Sequence, residues 1–382
     1  MSALKSVAAH ITAATDKNDL ESAAEALRSL VSHDDPLIPA EWLSSSQKGL
    51  LRDDWQDASA LFISNQFIGS TGCFLFVAPY SIRRDGALET RMSLLAGRVM
   101  AHSHIPCPDR ALFTAFGQTA IRLPIVLPVE VYASSGFFGR EEGEAFIVPD
   151  GWPFPNAERG PALNDMREHA RRFARGQECI RQIFCPTTAE FLLSSLSNDQ
   201  DNVRHIEYQL HDFGHASGLG LEEKLARDLL SDTWRRAVEE WRSDAVAFHL
   251  ASCLLDTKAA AEVVSSNICT RLGMDAHRLG GLHGDADVNA SLLTFASLLA
   301  GNRVRIDEIG QLSLKDCTAA GLLAAVSQMA RDGLDLTRQE LLIDSPESLA
   351  PLYDGVCAPE PSRSAFQAHV LAPCAGVFKS LR

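Results

Sequence analysis

The sequence has no CxxC pair, no GxGxxG, GxxxxGK or GxSxG pattern, no internal repeat and no low-complexity tract. These absences exclude a zinc-ribbon spacing, a dinucleotide or phosphate loop, and a nucleophile elbow. Positive charge is also scarce: 35 Lys and Arg stand against 49 Asp and Glu, a formal charge of −14. Such a field repels phosphate backbones and anionic lipid surfaces, so neither nucleic acid nor membrane is expected as a partner. Long hydrophobic runs are missing as well, and CFLFVAPY at 73–80 is far too short to span a bilayer. The stretch SVAAHITAA near the start is amphipathic rather than continuously apolar, unlike a secretory signal. The nine cysteines, an odd number scattered from Cys73 to Cys374, read as reduced thiols rather than a disulfide framework. Cytoplasmic residence is the expectation.

What is present is ordinary globular material: 382 residues, 46% hydrophobic, enough for two moderate cores. We expect an α+β chain, with residues 1–150 a mixed domain built on a mainly antiparallel sheet and residues 162–382 a mainly helical domain that carries the functional site. Residues 19–31 have amphipathic helical spacing. ALFISNQF, CFLFVAPY, AIRLPIVLPVEVYA and EAFIVP are rich in β-branched and aromatic residues and predict strands. Pro124 and Pro128 place the third of these at an edge or break it. LETRMSLLAGRVMAH at 88–102 reads as a helix, and GWPFPNAERGP at 151–161 as a linker. Beyond it, 164–184 is helical, with a basic stripe of Arg171, Arg172, Arg175 and Arg181 suited to a solvated face or an anionic group. Thr187 with Glu190 suggests a capping box. Helices follow to about 300 and again over 316–331, and RVRIDEI alternates like a strand.

The chemistry gathers in VRHIEYQLHDFGHASG at 203–218. Apolar residues at 203, 206, 210 and 213 have helical spacing, so His211 and His215 project from one face a turn apart. Two imidazoles at this spacing can hold zinc, and Asp212 between them borders the position of a water on that ion. The next helix, SDTWRRAVEEWRSDAVAFHLASCLL at 231–255, starts at a Ser231/Asp232 cap and sets Glu240 and Asp244 on one face. Glu240 completes a two-His, one-Glu ligand set, and Asp244 one turn later can accept the distal N–H of a ligand imidazole. His277 and His283 flank a Gly-Gly loop and read as structural. His102 and His104 near Cys107 cap the helix end or face solvent.

HDFGHASG followed by EEWRSDAVAFHL resembles the dipeptidyl peptidase III family of zinc peptidases, whose pattern is HExxGH and then EECRAE or EECRAD. The resemblance covers about 40 residues, 211–250, and Glu239, Glu240, Arg242 and Asp244 fall on matching positions. It implies His211, His215 and Glu240 as zinc ligands, Asp212 as the catalytic acid–base group, and Asp244 and Glu239 as supports of the ligands. The general gluzincin pattern, HExxH then ExxxD, gives the same assignment. The chain departs in Asp212, one methylene shorter than the usual Glu, and a misplacement of about 1 Å can cost on the order of a hundredfold in rate.

The expectation is therefore a zinc-dependent enzyme acting on a small carbonyl-containing or peptide-like substrate that enters between the domains. It works by metal-assisted hydrolysis or by metal-assisted proton transfer, as in an isomerase or lyase. Two alternatives use the same letters. LHDFGH also looks like the LLHDIGH segment of HD-domain phosphohydrolases, where His211 and Asp212 would bind metal with His169 and with Asp244 or Asp256. The other alternative is a non-catalytic metal-binding protein.

Overall fold

The computed structural model describes residues 73–379 apart from 118–125, 136–144, 148–161 and a few short turns; residues 1–72 and 380–382 are not described. The helix expected at 19–31, the strand ALFISNQF, the linker at 151–161, and His102, His104 and Cys107 thus lie outside the described residues. The fold is α+β and mostly helical. The chain divides into two compact units, Met1–His102 with Pro124–His169 and Ser103–Leu123 with Ala170–Arg382.

The first unit holds a five-stranded sheet of β1 (Cys73–Arg84), β2 (Ala87–Val99), β3 (Val126–Ser135), β4 (Ala145–Ile147) and β5 (Ala162–Asp165), in the order β1-β2-β3-β5-β4. Every pairing is antiparallel except β3 with β5. The helix expected at 88–102 is instead strand β2. Its ladder with β1 runs unbroken from Cys73↔Arg98 to Arg84↔Ala87. LETRMSLLAGRV fits both periods, and burial of Leu95, Gly97 and Val99 with Arg98 and Met100 only partly covered is the alternation of a strand. Cross-strand pairing on both sides overrides a weak helical preference. The overlooked sign was Asp85-Gly86 between the paired ends, a hairpin dipeptide. β3 is also not at an edge, and Pro124 lies outside the described residues. Pro128 sits in register with Asn164 of β5, but on the β2 side the ladder ends at Val99↔Val129; there its carbonyl accepts the Met100 N–H at 2.9 Å and its missing N–H falls beyond the last β2 pair.

The second unit begins with α1 (Pro108–Phe116) and resumes at Ala170 within α2 (Met166–Ile183), which starts directly after β5, and runs through α3 (Pro186–Ser194), α4 (Gln200–Ala216), α5 (Thr233–Leu254), α6 (Thr257–Gly273) and α7 (Ala286–Ala300). A hairpin of β6 (Val304–Ile306) and β7 (Leu312–Leu314) realises the alternation of RVRIDEI. Then come α8 (Ala319–Leu341), α9 (Pro346–Asp354), α10 (Glu360–Phe366) and α11 (Ala372–Lys379). The capping box at Thr187 does not form. Cys185 is the cap residue and makes no side-chain cap bond, while buried Thr188 accepts the Leu314 N–H at 3.1 Å. The expected cap of α5 does form, Asp232 accepting from the N–H groups of Trp234 and Arg235.

Helix α5 is buried nearly all round, as Ala237, Val238, Trp241, Ala245, Phe248 and Leu250 attest, and α4, α7 and α8 lie against it. Gly214 fixes its distance from α4. A Cβ there would sit 2.5 Å from the Ser243 carbonyl oxygen and 2.7 Å from the Ser243 Cα. The two backbones therefore touch one residue before His215 on α4 and one residue before Asp244 on α5. Gly214→Ala is expected to destabilise the fold by about 1–3 kcal/mol, because a backbone clash of this kind outweighs the roughly 1 kcal/mol of helix propensity gained. Denaturant unfolding reads this directly, and a variant as stable as the parent would show that the contact is soft.

Candidate metal centre

The close approach of α4 and α5 brings three of the expected residues to one point. His211 Nε2 and His215 Nε2 lie 3.0 Å apart. Glu240 Oε2 is 3.3 Å from His211 Nε2, and its Oε1 is 3.6 Å from His215 Nε2. A tetrahedral zinc ion with bonds of about 2.0–2.1 Å sets its ligand atoms about 3.3 Å apart. The observed separations bracket that value, with one Glu240 oxygen nearest each imidazole.

Proton positions sharpen the fit. His211 Nδ1 faces Asp244 Oδ1 at 2.8 Å, and His215 Nδ1 faces Glu239 Oε1 at 2.9 Å, with Ser243 Oγ also at 2.9 Å. Carboxylates accept, so each Nδ1 carries the proton and each Nε2 carries a lone pair. Two lone pairs and the Glu240 carboxylate then converge, and such a cluster of acceptors calls for a cation. In the bare protein a proton takes that place: burial pushes the His211 pKa down, but Asp244 and Glu240 outweigh it and hold the imidazole well above its usual value. Burial likewise favours the neutral carboxyl of Glu240, yet His215, His211 and Arg271 keep it far below the usual carboxylate range.

Each supporting carboxylate is anchored in turn. Asp244, fully buried, accepts from Asn267 Nδ2 at 2.8 Å and Arg271 Nε at 2.7 Å. Burial raises its pKa, but Arg271 and His211 pull it down to about 2. Arg271 also reaches Glu240 Oε2 at 3.0 Å and Asp275 and Asp287 at 3.1 Å each. Glu239 accepts from Lys224 Nζ at 2.8 Å and from Arg242 Nε and Nη2 at 2.9 and 2.6 Å. Tyr353 Oη lies 2.6 Å from both Glu239 and Glu340, and Lys224 Nζ is 3.0 Å from Glu340. Sequence reasoning did not reach Arg271, Asn267, Lys224, Glu340 or Tyr353, because they come from four separate segments and carry no local pattern.

Asp212 is half-buried on α4, about 100° around the helix from His211. Among the described residues of the second unit, the ligand groups that converge within 4.8 Å of one another include neither Asp212 nor Asp256. Asp256 caps α6 through the N–H groups of Lys258 and Ala259, and Asp244 serves His211, Asn267 and Arg271. His211 therefore forms no ligand group with Asp212 and Asp244 or Asp256 among the described residues of this unit. A groove lined by Gln177, Arg181, Glu190 and Leu193, between α2 and α3, shares no lining residue with this centre.

A family profile matches residues 3–269, more than half of the chain and a span that includes His211, His215 and Glu240. The chain belongs to DUF6014. That family is described as a family of unknown function. No curated protein matches the sequence of this DUF6014 member. Among solved structures it is similar to dipeptidyl peptidase III from Caldithrix abyssi, with a TM-score of 0.62, 13% identity, and coverage of 93% of this chain and 70% of that one. It is also similar to dipeptidyl-peptidase III from Corallococcus sp. strain EGB, with a TM-score of 0.57, 13% identity, and coverage of 94% and 67%. At this identity the likeness is one of fold, and it extends far beyond residues 211–250. No described helix of this DUF6014 chain is long and apolar enough to cross a membrane.

Proposed function

We propose that the chain is a zinc-dependent hydrolase of gluzincin geometry, with His211, His215 and Glu240 as metal ligands and a peptide-like or other small carbonyl-containing substrate. The observation that carries this reading is the convergence of two imidazole lone pairs and one carboxylate at tetrahedral spacing, with each distal N–H fixed by a buried acid. The fold shared with two proteins named as dipeptidyl peptidases supports the substrate class. A zinc ion held by His211, His215 and Glu240 would supply a Lewis acid and would lower the pKa of a nearby water toward about 7.

The chain's own residues do the rest. Asp212 takes a proton from the water that attacks the substrate carbonyl, then delivers it to the departing amine nitrogen. Asp244 and Glu239 hold the imidazoles in the tautomer that presents Nε2, and they raise ring basicity. Arg271 neutralises Asp244 and steadies Glu240, so the acidic centre does not repel itself apart.

Asp212 is the test of hydrolysis. Asp212→Asn is expected to keep its zinc while hydrolysis of short peptides falls by about 10²–10⁴-fold. Asp212→Glu restores the missing methylene and is expected to raise amide hydrolysis. An Asp212→Asn protein that holds zinc and turns over at the parental rate would remove Asp212 from the mechanism. If zinc-loaded protein with Asp212 intact cleaves no peptide but exchanges a proton α to a carbonyl, the reaction is metal-assisted proton transfer instead.

A further inference from the structure

A second cluster of ligand atoms lies in the helical unit, sharing no residue with the first. Cys179 on α2, His277 at the end of the short turn Asp275–His277, and Cys374 on α11 bring two sulfurs and a ring nitrogen within 4.8 Å of one another. The three positions are far apart in the chain, so nothing in local spacing announces them. Both cysteines are fully buried, and neither is in a disulfide. We propose that Cys179, His277 and Cys374 bind a second zinc ion, which ties α11 to α2.

Two further observations support a built site over a chance meeting of core thiols. His277 Nε2 lies 3.1 Å from the Leu272 carbonyl oxygen. A carbonyl only accepts, so Nε2 carries the proton and Nδ1 carries the lone pair, the orientation that metal-bound imidazoles take from a backbone partner. Close backbone packing also sets the approach. A Cβ on Gly273 would stand 2.8 Å from the Gly176 carbonyl oxygen, and one on Gly176 would meet the Met274 side chain at 2.7 Å. These glycines lie three and four residues from Cys179 and His277. They pack α2 closely against the end of α6, beside Cys179 and His277.

The donor set names the ion. Thiolates and imidazole select zinc or copper(I) over magnesium, calcium or manganese, and zinc takes Cys and His tetrahedrally with Zn–S bonds of about 2.3 Å. Three protein donors leave a fourth position, which a water would complete. Both thiols give up their protons to solvent as zinc enters, with no change of oxidation state.

Cobalt(II) titration of the full chain, stripped with chelator under reducing conditions, tests the proposal. Cobalt in the His211, His215 and Glu240 centre has no sulfur ligand, so a thiolate-to-cobalt charge-transfer band reports the second site alone. That band is expected in the parent protein, unchanged in His211→Ala/His215→Ala, and lost in Cys374→Ser and His277→Gln. Zinc content is expected at about two ions per chain in the parent and about one in either set of variants. Unstable cysteine variants would not spoil the test, because the parent spectrum alone decides. A folded, reduced parent that takes up cobalt with no such band overturns the proposal, as does a Cys179–Cys374 disulfide in protein purified with its full zinc content.

Discussion

Glu240→Ala is expected to release zinc from the α4–α5 centre, lowering its affinity by at least about 3 kcal/mol, more than a hundredfold, if three ligands share roughly the 10 kcal/mol of a strong zinc site. His215→Ala should match it. Either change leaves two ligand atoms where the geometry supplies three, and Glu240→Ala also removes the negative charge that faces both Nε2 atoms at 3.3 and 3.6 Å. His169→Ala should leave zinc content unchanged. This contrast separates the gluzincin arrangement from the phosphohydrolase one, which needs His169 and not His215. Elemental analysis of the variants in a Cys374→Ser background counts this centre alone. Zinc retained by Glu240→Ala but lost by His169→Ala would reverse the assignment.

The second large effect concerns Arg242, a residue with no part in chemistry. It is fully buried, and its guanidinium donates to both Glu239 oxygens, to Ser217 Oγ at 3.0 Å, Thr337 Oγ1 at 2.9 Å and the Gly214 carbonyl at 3.0 Å. With Lys224 it balances the two buried carboxylates of Glu239 and Glu340. Arg242→Met fills the volume but leaves a buried negative charge uncompensated, which typically costs about 3–5 kcal/mol. Arg242→Lys should recover little, since a point charge cannot reproduce the fork that joins Glu239, Ser217, Thr337 and Gly214. Zinc affinity should also fall by about 10–100-fold in Arg242→Met, because Glu239 loses the partner that aims it at His215 Nδ1. Urea unfolding and zinc titration measure the two effects, and a loss of stability under about 1 kcal/mol would mean that the network reorganises freely.

The contrast between these residues shows what a sequence can disclose. His211, His215, Glu240 and Asp244 were legible because helical periodicity alone turns spacing of four into a shared face, and Asp232 marks where the second helix starts. Gly214 was in plain view inside HDFGH, yet its use as the contact point with Ser243 depends on how two helices cross. Arg242 could be aligned to a motif, but its partners Thr337, Glu340 and Tyr353 lie about a hundred residues away. The same limit explains the strand at 87–99, where LETRMSLLAGRV is ambiguous until β1 and β3 flank it, and Pro128, whose missing N–H is tolerated because the β2 ladder stops at Val99↔Val129. Cys179, His277 and Cys374 are the extreme case, three ordinary letters joined only by the fold.

Anomalous diffraction at the zinc edge from crystals of the zinc-loaded protein tests the central claim most directly. The account predicts an anomalous peak bonded to His211 Nε2, His215 Nε2 and a Glu240 oxygen at about 2.0–2.2 Å, with His211 Nδ1 still on Asp244 and His215 Nδ1 still on Glu239. A fully loaded crystal with no peak between these three side chains, or with the ion held by Asp212 and His169, would contradict it.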